Sequence, residues 1–151
     1  MPSRRKPSRL DLCVQRAATA DWLPGAAKLR AWAATALLDD AAVTLRLVGE
    51  EEARTLNRTY RRRDYATNVL TFVYPGFEVL TGDIAICIPV VEREARAQAK
   101  TREAHLAHLV VHGVLHLQGF DHERLSDAEL MEGIESELVI KLGYPDPYGK
   151  R

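Results

Sequence analysis

His105-Leu106-Ala107-His108-Leu109-Val110-Val111-His112-Gly113-Val114-Leu115-His116-Leu117-Gln118-Gly119-Phe120-Asp121-His122 contains all five histidines of the chain. From about Thr101 to Gln118 the stretch reads as one helix, and Gly119 falls where a left-handed C-terminal cap would end it. His108, His112 and His116 are spaced by four and share one helix face. Two imidazoles at i and i+4 reach a common metal ion. His108 is a poor third ligand. Positions i and i+8 lie about 12 Å apart along the axis, and zinc needs each nitrogen at about 2.0–2.1 Å. The third ligand is therefore expected beyond the turn, at His122, giving the pattern H-x-x-x-H-x-x-G-x-x-H. His105 reads as a surface residue, and His108 as a pocket wall or a support to the ligands.

Three neutral imidazoles leave an ion its full charge and an open coordination position, the arrangement of a catalytic rather than a structural zinc. Zn2+, one per chain, is the expected cofactor, with other divalent transition metals compatible with imidazole ligands. The spacing equals that of the metzincin proteases, whose motif begins H-E-x-x-H. Here Gly113 stands at the position of the general-base glutamate, which argues against peptide hydrolysis by that route.

Working outward, Leu10, Leu12 and Val14 alternate with polar residues as a first strand. Pro24 opens an alanine-rich helix to about Leu38, and Val43, Leu45 and Leu47 mark a second strand. Glu50-Glu51-Glu52 sits in the first turn of a short helix, where the dipole favours negative charge. That helix ends between Asn57 and Tyr60. Asn68 to Tyr74 reads as a third strand and Ile84 to Ile88 as a buried fourth. Pro89 starts a further helix. Ser126-Asp127-Ala128-Glu129 has capping-box spacing before the last helix, whose apolar stripe is Leu130, Ile134 and Leu138 and which Gly143 and Pro145 end. The expected fold is α+β: one domain over 1–151, a small mixed β-sheet packed with helices, and a zincin-like metal site at the end of the histidine-bearing helix.

With 151 residues, 46% apolar and 28% charged, the chain has the size and composition of one globular domain. Lys plus Arg number 21, as do Asp plus Glu, so overall charge gives no argument for nucleic-acid binding. Residues 1–9 form a basic leader, read as a solvated tail. Cys13 and Cys87 lie in apolar runs and are expected to be buried, reduced and without a disulfide-linked partner. No run has the apolar length of a membrane span or a secretory signal, and the expected location is the cytoplasm.

Four arginines crowd into Arg58-Thr59-Tyr60-Arg61-Arg62-Arg63. Guanidinium groups suit phosphate oxygens, and beside a hydrolytic metal they can stabilise charge in phosphodiester cleavage. The alternative is a solvated loop paired with the upstream glutamates.

Several segments together resemble the YbeY family of bacterial rRNA maturation endoribonucleases. His112 to His122 is similar to that family's HGxLHLxGYDH, with Phe120 for a common Tyr. Leu56 to Phe72 is similar to LNxxYRxxDxPTNVLSF, with Ala66 where Pro is usual. Gly82-Asp83-Ile84 matches GDI, Met131-Glu132 with Glu135 resembles MExxE, and Val73 replaces a frequent Pro, leaving the third strand free to run on. The resemblance implies a metal-dependent, single-strand-specific endoribonuclease of 16S rRNA maturation and ribosome quality control. It also implies His112, His116 and His122 as zinc ligands, Arg61 as the functional arginine, and the 16S rRNA precursor and small ribosomal subunit as partners. The competing readings are another zinc-dependent hydrolase, acting on a peptide or small molecule, and a non-enzymatic ribosome-assembly factor with a structural metal. The general base is left open among Asp121, Glu123 and Asp83.

Overall fold

A computed structural model of the chain describes residues 9–121 and 124–149. The elements run β1 (Leu10–Arg16), α1 (Ala26–Thr35), β2 (Ala41–Val48), α2 (Glu50–Arg61), β3 (Val69–Val73), β4 (Leu80–Cys87), α3 (Ile88–Ala97), α4 (Arg102–Leu117) and α5 (Leu125–Lys141). The four strands form one mixed sheet in the order β1-β2-β4-β3. β1, β2 and β4 are parallel, and β3 closes one edge antiparallel to β4. The expected α+β architecture is the one observed.

Val43, Leu45 and Leu47 of β2 and Ile84 and Ile86 of β4 join Leu29 and Trp32 of α1 and Val110 and Val114 of α4 in the main core. Val48 and Cys87 take part in a smaller cluster with Ala53 of α2 and Val90 of α3. The β4 strand begins four residues before the expected Ile84, because Leu80 to Asp83 already pair with β2, and Gly82 and Asp83 also with β3. β3 extends to Val73, which pairs with Gly82.

Three expectations are corrected. Cys13 is exposed, whereas Cys87 is buried, and both are free thiols. Cys13 shares the outward side of edge strand β1 with Asp11 and Gln15, so strand alternation outweighs its apolar flanks. The last helix starts at Leu125 with Arg124 as its N-cap and no side-chain capping bond; the Ser126 capping box is not formed because the helix has already begun. Leu130 is exposed, and the fully buried positions of α5 are Met131, Glu135 and Val139. The inward face is thus rotated by one residue, and a carboxylate lies in the middle of it.

Gly82 explains why one motif demands glycine. A Cβ there would lie 2.5 Å from the Phe72 carbonyl oxygen and 2.8 Å from Leu117 Cδ2. Helix α4 and strand β3 therefore approach β4 as closely as they do only because that side chain is missing. Gly82→Ala is expected to destabilise the protein by about 2–3 kcal/mol, the cost of forcing backbone apart in a packed core. Urea denaturation measures it; a change below about 0.5 kcal/mol would show that the strands give way freely.

Candidate functional site

Helix α4 starts where expected, after Thr101, whose Oγ1 caps it by accepting the Ala104 amide at 3.0 Å. From Ala104 to Leu117 every residue is buried except His112 and His116. These two imidazoles are therefore the side chains through which this span of the helix reaches solvent. Their rings stack with centroids 6.1 Å apart.

Each ring is held through Nδ1. His112 Nδ1 donates to Glu135 Oε2 at 2.7 Å, and His116 Nδ1 bonds Thr71 Oγ1 at 2.7 Å. A carboxylate only accepts, so Glu135 fixes the proton of His112 on Nδ1 and leaves Nε2 as the lone-pair nitrogen. Ligand histidines in metal sites are oriented in this way. The donor set thus fits a transition metal. Among the described residues no three metal-ligating side chains are gathered, and the third histidine of the motif, His122, lies outside them, as does Glu123.

Glu135 is only 1% exposed. Its other oxygen accepts from His108 Nε2 at 2.6 Å and from Tyr148 Oη at 2.6 Å. Burial opposes its ionisation, yet the hydrogen bonds from His108, His112 and Tyr148 prevail and hold the carboxyl at about 2. Burial, together with the ionised Glu135, pushes the Tyr148 hydroxyl well above its ordinary value. His108 therefore acts on His112 through a shared carboxylate. A cavity of about 470 Å³ opens over this assembly, lined by His112, Glu132, Glu135, Tyr148 and Asn68 among others.

His105 corrects its expectation of a surface position. It is buried, and its Nε2 donates to Glu94 Oε1 at 2.8 Å. The same carboxylate oxygen accepts from Asn68 Nδ2 at 3.0 Å. Burial lowers the His105 pKa, an effect that outweighs the opposing hydrogen bond from Glu94. Gly113 faces the sheet instead of the cavity: an added Cβ would meet Ile84 Cγ2 at 3.0 Å. A glutamate at that position would have to enter the core. Gly119 takes a positive φ of 103° and ends the helix as expected, with the Phe120 amide reaching back to the Leu115 carbonyl at 3.2 Å. Gln118 ties this turn to α1 through the Ala36 carbonyl at 2.8 Å and the Leu38 amide at 2.7 Å.

Arg61 closes α2 and approaches the edge strand. Its Nη2 donates to the Thr71 carbonyl at 2.8 Å, and its guanidinium lies 5.2 Å from the Phe72 ring centroid. Thr71 thus joins the two halves of the site, with its hydroxyl on His116 and its carbonyl on Arg61. Asp83 lies in the groove on the Arg61 side, where its Oδ2 accepts the Tyr74 hydroxyl at 2.5 Å. Asp121 follows Gly119 and is partly buried. Sequence reasoning missed Thr71 entirely, and it placed Glu135 only within a motif.

Fold and site together define an α+β domain whose buried central helix opens at two oriented imidazoles beside an arginine-bearing edge strand. The family model described as Endoribonuclease YbeY matches residues 15–143, and the chain belongs to that family. It is similar to the protein named endoribonuclease YbeY of Aromatoleum aromaticum, with 58% identity over 144 residues, covering 93% of this chain and 94% of the relative. The protein of the same name from Methylobacillus flagellatus is 56% identical over 140 residues, with 93% and 94% covered. The solution structure of TM1509 from Thermotoga maritima is similar over 94% of this chain and 99% of its own, at 28% identity and a TM-score of 0.53.

Proposed function

We propose that the chain is an endoribonuclease of rRNA processing that cuts single-stranded RNA with one zinc ion held by His112, His116 and His122 and with Arg61 on the phosphate. One observation carries the reading: Thr71 bonds both His116 and Arg61, so one residue joins a proposed ligand histidine to the proposed phosphate-binding cation. Bound zinc would supply Lewis acidity and an activated water. The protein's own contribution is to hold the imidazoles through Glu135 and Thr71 and to aim a guanidinium fork at a phosphodiester. No carboxylate among the described residues lies within ion-pair reach of Arg61, so none of them neutralises its charge. The site suits a phosphodiester better than a peptide because it pairs the histidine face with an arginine and has no glutamate at Gly113.

The substrate in this reading is the 16S rRNA precursor on the small ribosomal subunit, in the cytoplasm. No helix of the described residues is long and apolar enough to cross a membrane. Arg61→Ala is expected to keep the fold and metal content and to lose RNA cleavage on the order of 10²–10³-fold, the usual cost of removing a transition-state charge donor. Arg61→Lys should recover only part, because an ammonium is a point charge and not a planar fork. The assay is cleavage of a single-stranded RNA with metal content measured alongside; Arg61→Ala cutting at the parent rate rules the role out.

A further inference from the structure

The cations on and beside α2 fall into two groups. Arg46 is held by Glu52 at 2.6 Å, and Arg54 and Arg58 are held by Asp64 at 2.8 and 3.6 Å. Arg61, Arg62 and Arg63 are exposed, and no carboxylate among the described residues pairs with them. Of these three, Arg61 lines a groove of about 610 Å³ on the sheet face carrying α2, whose walls include Tyr60, Phe72 and Tyr74. Tyr60 is 59% exposed and Tyr74 45% exposed. Phe72 is gripped from two sides, by Tyr60 edge-on at 5.2 Å and by the Arg61 guanidinium at 5.2 Å. Asp83 pins the Tyr74 hydroxyl, so that ring is fixed as well.

Solvent-open aromatic rings beside an arginine that no carboxylate pairs have the make-up of a base-stacking platform with a phosphate contact. Of the acidic groups in the groove, Glu52 is ion-paired with Arg46, and Asp83 accepts the Tyr74 hydroxyl. Thr71, which borders this groove, also bonds His116 on the other side of β3.

We infer that this groove takes one unstacked base of single-stranded RNA, packed on Tyr60 and Tyr74, while Arg61 holds the adjoining phosphate at the edge of β3. The inference rests on the reading of the chain as an RNA-cutting enzyme. It assigns a base-binding subsite to the sheet face opposite the histidine helix, with the strand passing over the β3 edge. A duplex cannot offer an unstacked base there, so the subsite also accounts for selection of single strands.

The test uses the metal-loaded full chain and two short single-stranded 2′-O-methyl oligonucleotides, one bearing bases and one abasic. Tyr60→Ala and Tyr74→Ala should each weaken binding of the base-bearing strand about tenfold, within the range of one lost stacking contact, and leave the abasic strand unaffected. Tyr60→Phe keeps the ring and should bind like the parent. On cleavable RNA the alanine variants should raise KM by a similar factor, with a smaller change in kcat. Equal losses on both strands, or alanine variants that bind like the parent, overturn the subsite. If the parent cuts RNA but the alanine variants bind normally, only the subsite fails. If the parent neither binds nor cuts any single strand, the endoribonuclease reading fails with it.

Discussion

Glu135→Ala is expected to cost about 3–5 kcal/mol of stability, the range for removing one partner of a buried ionic network. Three groups would lose their acceptor together: His108 Nε2, His112 Nδ1 and Tyr148 Oη. Glu135→Gln separates packing from charge. The amide keeps the volume but offers one acceptor oxygen and one donor nitrogen, where the two carboxylate oxygens accept from three donors. One histidine must then change tautomer or lose its bond. We expect a smaller stability loss, about 1–3 kcal/mol for one unsatisfied buried group, with metal affinity weakened about 10–100-fold because the ring of His112 is no longer locked. Thermal unfolding and competition with a chelator measure the two effects. Unchanged metal affinity in Glu135→Gln would mean that the carboxylate serves packing alone.

His112→Ala and His116→Ala are each expected to abolish stoichiometric metal binding and with it RNA cleavage, since each removes one of three proposed ligands. His108→Ala should behave differently. Its Nε2 is already committed to Glu135, with a longer contact to Tyr148 Oη at 3.2 Å. Its loss should reach the metal only through Glu135, as a weakened affinity that excess metal restores. Metal content by elemental analysis after dialysis, followed by titration, distinguishes the two patterns. Full occupancy in His116→Ala, or a loss in His108→Ala that no added metal repairs, would overturn the assignment.

The helices and strands were legible because their signals are periodic: i, i+4 imidazoles on α4, alternation in β1 and β2, glycine after α4. The residues that complete the site carry no such signal. Thr71 is an ordinary strand residue, and its part in the site comes from the two elements that meet at it, α4 through its side chain and α2 through its carbonyl. Glu135 looks like a solvated helix residue. A glutamate with neighbours one turn away normally faces water, and Leu130, Ile134 and Leu138 offered a more conventional apolar stripe. Only the packing of α5 onto α4 shows that the carboxylate is the centre of the inward face. His105 was misplaced for the converse reason. Its acceptor, Glu94, lies on another helix, so the bond that makes its burial tolerable is invisible along the chain.

The strand order has a bearing on how the molecule is made. β3 is synthesised before β4, yet within the sheet it pairs only with β4, which inserts between it and β2. When Arg61 and Thr71 leave the ribosome, the strand that must hold them in place is still being assembled. His116 and Glu135 follow later still. A chain growing from its N-terminus therefore carries its arginines into solution well before the imidazole face exists, and the Glu135 bond to His112 forms only once the last long helix has docked. Translation itself thus sets the order in which the proposed site is put together.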